Sequence, residues 1–431
     1  MNAINYTSED QLQKAISRLE KTQDQWRILS LEEKVKAMSE MANILLDKKS
    51  ELARLAALEM GKPIKSGEME IEKSARALKQ IPNLWKTPQA PLEAQPFGIV
   101  FSIQPWNFPF WQVFRMCASA WTAGNVVLLK HSELVPQTAI EIEKLCRWSM
   151  GPLLQNVLLE PSRIHQLIEQ EPRVRFVTFT GSTKVGRLIA ETCGRSMKPG
   201  IFELGGNDAY LVCEDADLDL AAEKCAQTRL VNSGQSCVSG KRFFLHKSIK
   251  NQFLQKFEKS LQKFLWGSPL DGETDLGPLA HEKFKTQLKE QILKAQSEGA
   301  QFFAVKPTGE KVSLADFPPM GYLDFAQNWR AFEGEEIFGP VALIYEFEDF
   351  EEVNSAINRG PYGLAGGIFT QRRTLAQQAA RMSQVGTFAW NEFCQSDPLY
   401  PFGGCKDSGF GREMGLIGIE QFVSWKVLRG F

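Results

Sequence analysis

From residue 98 onward, short apolar runs alternate with helical patterns, and that alternation limits the fold more than any other feature. GIVFSI (98–103), NVVLLK (125–130), NVLLE (156–160) and RFVTFT (175–180) have the length and the β-branched or aromatic content of strands. Helical stretches such as LVPQTAIEIEKLCRW (134–148) lie between them. Strands joined through helices fit a parallel sheet covered by helices on both faces, a doubly wound α/β arrangement. AYLVC (209–213) and KRFFLH (241–246) suggest a second sheet, followed by a long polar helix near 279–298. VALIYEF (341–347), a helix at 349–358 and GGIFT (366–370) continue the alternation. A chain of 431 residues exceeds one ordinary core, so two or more lobes are expected.

The first eighty or so residues read as helices. Ser8 with Gln11, and Ser30 with Glu33, have capping-box spacing. Val35, Met38, Ala42 and Leu45 then recur at helical intervals, and a third helix runs from about Ser50 to Met60, where Gly61 and Pro63 stop it. The stretch PNLWKTPQAPLEAQP (82–96) holds four prolines and reads as a connector. The tail IEQFVSWKVLRGF ends in a β-like stretch that could pair with another subunit.

A formal net charge of −1 gives no reason to expect nucleic acid or a membrane surface as partner. No run approaches the roughly 20 apolar residues of a bilayer span, and MNAINYTSEDQLQKAI does not read as a secretory signal. Eight cysteines without close pairs resemble neither a disulfide framework nor a zinc site. The expectation is a reduced, cytoplasmic protein without a metal centre.

Chemistry gathers at a few places. In VNSGQSCVSGKR (231–242), Cys237 sits among small polar residues and glycine, with Lys241 and Arg242 close behind. A packed structural thiol prefers apolar neighbours, so this cysteine reads as presented for use; glycine-flanked Cys405 is its competitor. A cysteine nucleophile needs a base or positive surroundings, and none of the four histidines (131, 165, 246, 281) is near Cys237 in sequence. RFVTFTGSTKVGRLIA (175–190) is a strand, a glycine turn from Gly181 to Gly186 and a helix, either an anion site at a helix N-terminus or a plain tight turn. In IQPWNFPFW (103–111), Asn107 could donate to a developing oxyanion or satisfy its own loop. Glu203 in FELGGND could serve as a general base or be a solvated edge glutamate. EEIFGP (335–340) places Glu336 and Phe338 where a ribose and a flat ring could be met, or simply enters a strand.

Taken in order, PWNFPFW, VLLKHSE, FTGSTKVG, FELGG, GQSC, EEIFGP and PFGGCKDSGFGRE resemble the aldehyde dehydrogenase superfamily, and EMGKP (59–63) fits as well. The resemblance implies a Rossmann-type cofactor domain (1–84 and 97–204), an α/β catalytic domain (205–405) and reduced oligomerisation or bridging elements (85–96 and 406–431). It implies that Cys237 attacks an aldehyde, that Asn107 holds the oxyanion, and that Glu203 activates the water that hydrolyses the thioester. Trp106, Lys130, His131, Glu133, Gly181, Ser182, Gly186, Leu204, Glu336 and Phe338 would meet the dinucleotide. A carboxylate at Glu133 repels a 2′-phosphate, so NAD is expected over NADP, with Lys130 and His131 partly offsetting that repulsion.

Arg115 stands where the succinate-semialdehyde dehydrogenases resembled here place an arginine facing the substrate's distal carboxylate. The alternative is that it pairs with a carboxylate of its own chain. Where some of that subgroup carry a second arginine, this chain has Val231. His131 and Cys405 stand where the pattern more often has proline and an apolar or small residue. The arm before GIVFSI is short, which puts the usual tetramer in doubt and leaves a homodimer or higher homo-oligomer as the expectation. Two rivals are a CoA-acylating enzyme, which Glu203 disfavours, and a catalytically silent descendant, which the intact Cys237, Glu203 and Asn107 set disfavours.

Overall fold

The computed structural model of the protein describes residues 6–306 and 317–430. Four helices come first, Glu9–Trp26, Leu31–Asp47, Lys49–Met60 and Ile64–Gln80. Ser8 and Ser30 each close a capping box, with Gln11 and Glu33 reaching back. Gly61 ends the third helix in the left-handed region at φ +75°, where glycine carries no Cβ penalty.

A six-stranded sheet follows, in the order Gly409–Phe410, Gly200–Glu203, Val174–Thr180, Ile99–Ile103, Val126–Lys130 and Leu154–Asn156. Its pairings are parallel except for the C-terminal strand, which returns antiparallel with Gly409 opposite Glu203. Ile99–Ile103 is buried at every position, as helices on both faces require. The second sheet has seven strands, running from Thr387–Trp390 through Ala365–Phe369, Asp208–Val212, Gly240–His246, Val341–Phe347 and Gly321–Asp324 to Gln301–Ala304. Alternate residues of Asp208–Val212 feed separate cores, Ala209 and Leu211 on one face, Tyr210 and Val212 on the other. The chain crosses from sheet to sheet through Leu204–Asn207, directly after Glu203. No helix among the described residues is long and apolar enough to cross a membrane.

Two expectations change. The fourth strand is Leu154–Asn156 rather than 156–160, because Pro161 opens the next helix; Val157 and Leu159 are buried by packing beyond the strand. The proline-rich connector contains a strand, Leu92–Pro96, and the tail strand Val423–Val427 pairs with it antiparallel, Leu92 opposite Val427. The tail's partner is therefore in its own chain, and Glu93 meets Lys426 at 3.4 Å across the ribbon.

Candidate active site

The Cys237 segment is shaped by its backbone. Asn232 and Ser233 adopt left-handed conformations, and Gly234 has φ +78° with the Gly339 carbonyl so close that a Cβ would lie 2.3 Å from its carbon. Ser233 Oγ donates to Gly277 O at 3.0 Å and accepts from Gly277 N at 3.1 Å, which fixes the turn. Lys241 does not face the sulfur. Its Nζ donates to the carbonyls of Ser236 (3.1 Å) and Cys237 (2.7 Å) and lies 3.2 Å from Glu336 Oε1. Arg242 Nε donates to Asn207 O. Lys241 thus braces the loop through its own carbonyls, while Arg242 ties its strand to the segment that follows Glu203. Burial pushes the Cys237 thiol up to about 11, Arg115 and Lys241 pull it down, and Glu336 and Glu203 push it further up. The resting group is a thiol. No histidine is among the groups that act on it. Cys405 is no rival, since its Sγ is tied to the carbonyls of Gln384 (3.1 Å) and Gly363 (3.5 Å).

Asn107 follows the strand Ile99–Ile103 and is 4 % exposed. Its Nδ2 donates to Gln235 O at 3.0 Å, while Asn232 Nδ2 donates to the Asn107 carbonyl at 2.8 Å. The loop bearing the amide is thereby stapled to the loop bearing the thiol. Glu203 ends its strand fully buried, with neither carboxylate oxygen hydrogen-bonded. Burial raises its pKa well above the carboxylate range and Glu413 adds to this, against the pull of Arg115 and Arg412. Cys237 feels Glu203 electrostatically, so the nucleophile and base candidates share one buried centre.

The resemblance brought in EMGKP without giving it a role, and the structure supplies one. Lys62 forms a buried ion pair with Glu70, whose Oε1 accepts from Phe110 N (2.8 Å) and Trp111 N (2.9 Å) at the start of the helix Trp111–Thr122. Glu70 therefore anchors the segment just after Asn107. No local sequence signal marks it, because its partners lie on another element.

Trp106 and Phe338 come together edge to face at 6.0 Å, and Phe284, which the sequence did not point to, stacks on Trp106 at 4.8 Å. Lys130 Nζ lies 3.8 Å from Glu133 Oε1, and the Glu133 charge also acts on the Tyr6 hydroxyl. Ser182 stands at the N-cap of the helix Thr183–Arg195 without a side-chain cap bond, leaving the first-turn N–H groups open. Open N–H groups for a pyrophosphate, a carboxylate held by Lys241, and half-buried flat rings form a donor set that fits a nicotinamide dinucleotide.

Three of the expected site residues make contacts inside the protein. His131 is 1 % exposed, with Nε2 on Pro109 O (2.9 Å) and Nδ1 accepting from Ser132 N (2.8 Å), so both ring nitrogens are used inside the protein. Gly186 and Leu204 pack on each other, a Cβ at Gly186 falling 2.3 Å from Leu204 Cδ2, and so fit helix to sheet. Arg115 is buried, with Nε 2.5 Å from Glu413 Oε2, so it has a carboxylate of its own chain beside it. Its Nη2 nevertheless has no hydrogen-bond partner among the described residues.

A profile of the aldehyde dehydrogenase family matches residues 1–428. The chain belongs to the aldehyde dehydrogenase family. An aldehyde dehydrogenase of Paenarthrobacter nicotinovorans is 34 % identical over 97 % of this chain and 94 % of its own length. A succinate-semialdehyde dehydrogenase [NADP(+)] of Deinococcus radiodurans is 34 % identical over 96 % of this chain and 89 % of its own. Among solved structures, the succinic semialdehyde dehydrogenase of Streptococcus pyogenes in complex with NADP+ superposes with a TM-score of 0.92 at 28 % identity, covering 99 % of this chain and 97 % of that one. Membership makes the protein an aldehyde-oxidising enzyme.

Proposed function

We propose that this aldehyde dehydrogenase oxidises succinate semialdehyde to succinate through a covalent thioester on Cys237, with NAD preferred over NADP. The thiol gives its proton to water, the thiolate Sγ attacks the aldehyde carbon, an S–C bond forms, and the carbonyl π pair moves to oxygen. Asn107 donates one amide hydrogen to Gln235 O and keeps a second for that oxyanion. What a bound nicotinamide dinucleotide supplies is the hydride acceptor between thiohemiacetal and thioester. Glu203 then takes a proton from water as the water oxygen attacks the acyl carbon, and the sulfur leaves. Desolvation makes Glu203 a stronger base once ionised, in keeping with general-base help of about 10²–10⁴-fold.

The observation that carries the substrate assignment is the buried Arg115 guanidinium, whose open Nη2 can donate to a carboxylate and whose charge reaches the Cys237 thiol. The Arg115–Glu413 pair favours a second reading, an uncharged aliphatic or aromatic aldehyde. The NAD preference rests on Glu133, whose carboxylate disfavours a 2′-phosphate; NADP is the competing assignment, since the D. radiodurans relative is named for NADP. A division of labour follows, with the six-stranded sheet and its helices holding the dinucleotide and the seven-stranded sheet bearing the nucleophile. We also place the enzyme in the cytoplasm, acting on a small-molecule aldehyde. The test is a panel of 4-oxobutanoate, butanal and benzaldehyde with each dinucleotide. The expected result is the highest kcat/KM for 4-oxobutanoate with NAD. Arg115→Ala should raise KM for 4-oxobutanoate far more than for butanal. Equal effects on both remove the carboxylate assignment, and a faster rate with NADP removes the cofactor assignment.

A further inference from the structure

Lys73 lies on the helix Ile64–Gln80, which packs on the helix Trp111–Thr122 that carries Arg115. Its side chain is half-buried. Nζ donates to Ser396 Oγ at 2.8 Å and sits 4.4 Å over the Trp111 ring. Neither neighbour is a counter-ion. The carboxylates that act on it are engaged elsewhere: Glu70 by Lys62, and Asp397 by Arg76 at 3.8 Å. Among the described residues, none lies within ion-pair distance of Lys73 itself.

The charges facing Lys73 are Arg115 and Arg76, which repel it, and Asp397 and Glu70, which attract it more weakly. Arg115 acts on both the Lys73 ammonium and the Cys237 thiol, so its charge is felt by both groups. A partly desolvated cation without a partner is costly to keep. With one N–H on Ser396, an ammonium still has two to offer. A carboxylate is the ligand that matches two free N–H groups and an uncompensated positive charge.

We propose that Lys73 is a substrate-binding residue that, together with Arg115, receives the distal carboxylate of an aldehyde whose carbonyl lies at Cys237. The assignment rests on the reading that the substrate carries such a carboxylate. Burial, assisted by Arg115 and Arg76, pushes the ammonium down to about 7. A lysine so lowered is charged below that value and neutral above it. KM for 4-oxobutanoate should therefore rise between pH 6.5 and pH 8.5, while KM for butanal, which lacks the carboxylate, should not follow it.

The experiment compares kcat/KM for 4-oxobutanoate and butanal across that pH range in the unsubstituted enzyme, Lys73→Met and Lys73→Arg. The expected result is a selectivity ratio at least tenfold lower in Lys73→Met. Lys73→Arg should keep most of the ratio and lose its pH dependence. A Lys73→Met enzyme with its preference for 4-oxobutanoate intact overturns the role of Lys73 and leaves the substrate assignment standing. An unsubstituted enzyme that shows no preference overturns both. The pH profile of the unsubstituted enzyme needs no variant, so a flat profile for 4-oxobutanoate counts against Lys73 even if Lys73→Met does not fold.

Discussion

Gly403 shows how much a missing side chain can matter. Its φ is +155°, and a Cβ there would lie 2.6 Å from Glu203 Oε1 and 2.8 Å from Gly411 O. Gly403→Ala must therefore displace the carboxylate that the proposed mechanism uses as a base. The expected outcome is a steady-state kcat lower by about 10–100-fold, part of the full general-base contribution, with the first-turnover burst of reduced dinucleotide retained. Stopped-flow absorbance separates the two phases, and loss of the burst itself would place the damage at Cys237 instead. His131 supports a second prediction. Burial lowers its pKa from 6.5 to about 4, so the unfolded chain binds the proton first as pH falls. Stability carried by the neutral ring is complete above pH 6.5 and is lost as pH drops toward 4, by about 3 kcal/mol for a shift of this size. His131→Gln should flatten the dependence of the denaturation midpoint on pH across that window; an unchanged slope would assign the loss to other groups. At this scale Cys237 could be singled out because small, polar neighbours are the wrong company for a packed thiol. His131 was not, because only the folded loop brings Pro109 O to its ring.

Among elements, the buried Lys62–Glu70 pair joins the helix Ile64–Gln80 to the start of the helix Trp111–Thr122. Removing one partner strands a charge in the interior, which costs about 3–5 kcal/mol, whereas removing both costs much less. Lys62→Met alone should be strongly destabilised in urea, and Lys62→Met with Glu70→Gln should recover most of the loss. Glu70→Gln keeps an oxygen for the two amide groups but strands the Lys62 ammonium, so alone it should also be destabilised in urea. Additive losses in the double variant would mean the pair is not coupled as its geometry requires. The helices and most strands could be read locally, since capping boxes and apolar periodicity act within a few residues. The strand Leu92–Pro96 could not. Four prolines argue for coil, and its partner Val423–Val427 lies at the other end of the chain, where no local pattern points to it. Arg115 is a similar case, because Glu413 reaches it from a distant segment.

For the molecule as a whole, the alternation of strand and helix specified two covered sheets, and the catalytic candidates lie where the chain passes between them. The quaternary expectation belongs to the outlying ribbon. A two-stranded ribbon alone is marginal in water, and this one exposes Leu92, Trp425 and Val427 at 44 %, 45 % and 59 %. Both outer edges offer unpaired backbone groups to another chain. We expect the enzyme to form at least a homodimer that covers this ribbon. Light scattering coupled to size exclusion should give a mass of two chains or more for the 431-residue chain. A chain ending at Phe422 keeps the bond from Asn125 Nδ2 to the Phe422 carbonyl but loses the second ribbon strand, and it should elute as a monomer. If the shortened chain still associates, the contact lies elsewhere on the molecule. If the intact chain is monomeric at micromolar concentration, the exposed ribbon is tolerated in water and no partner subunit is needed to explain it.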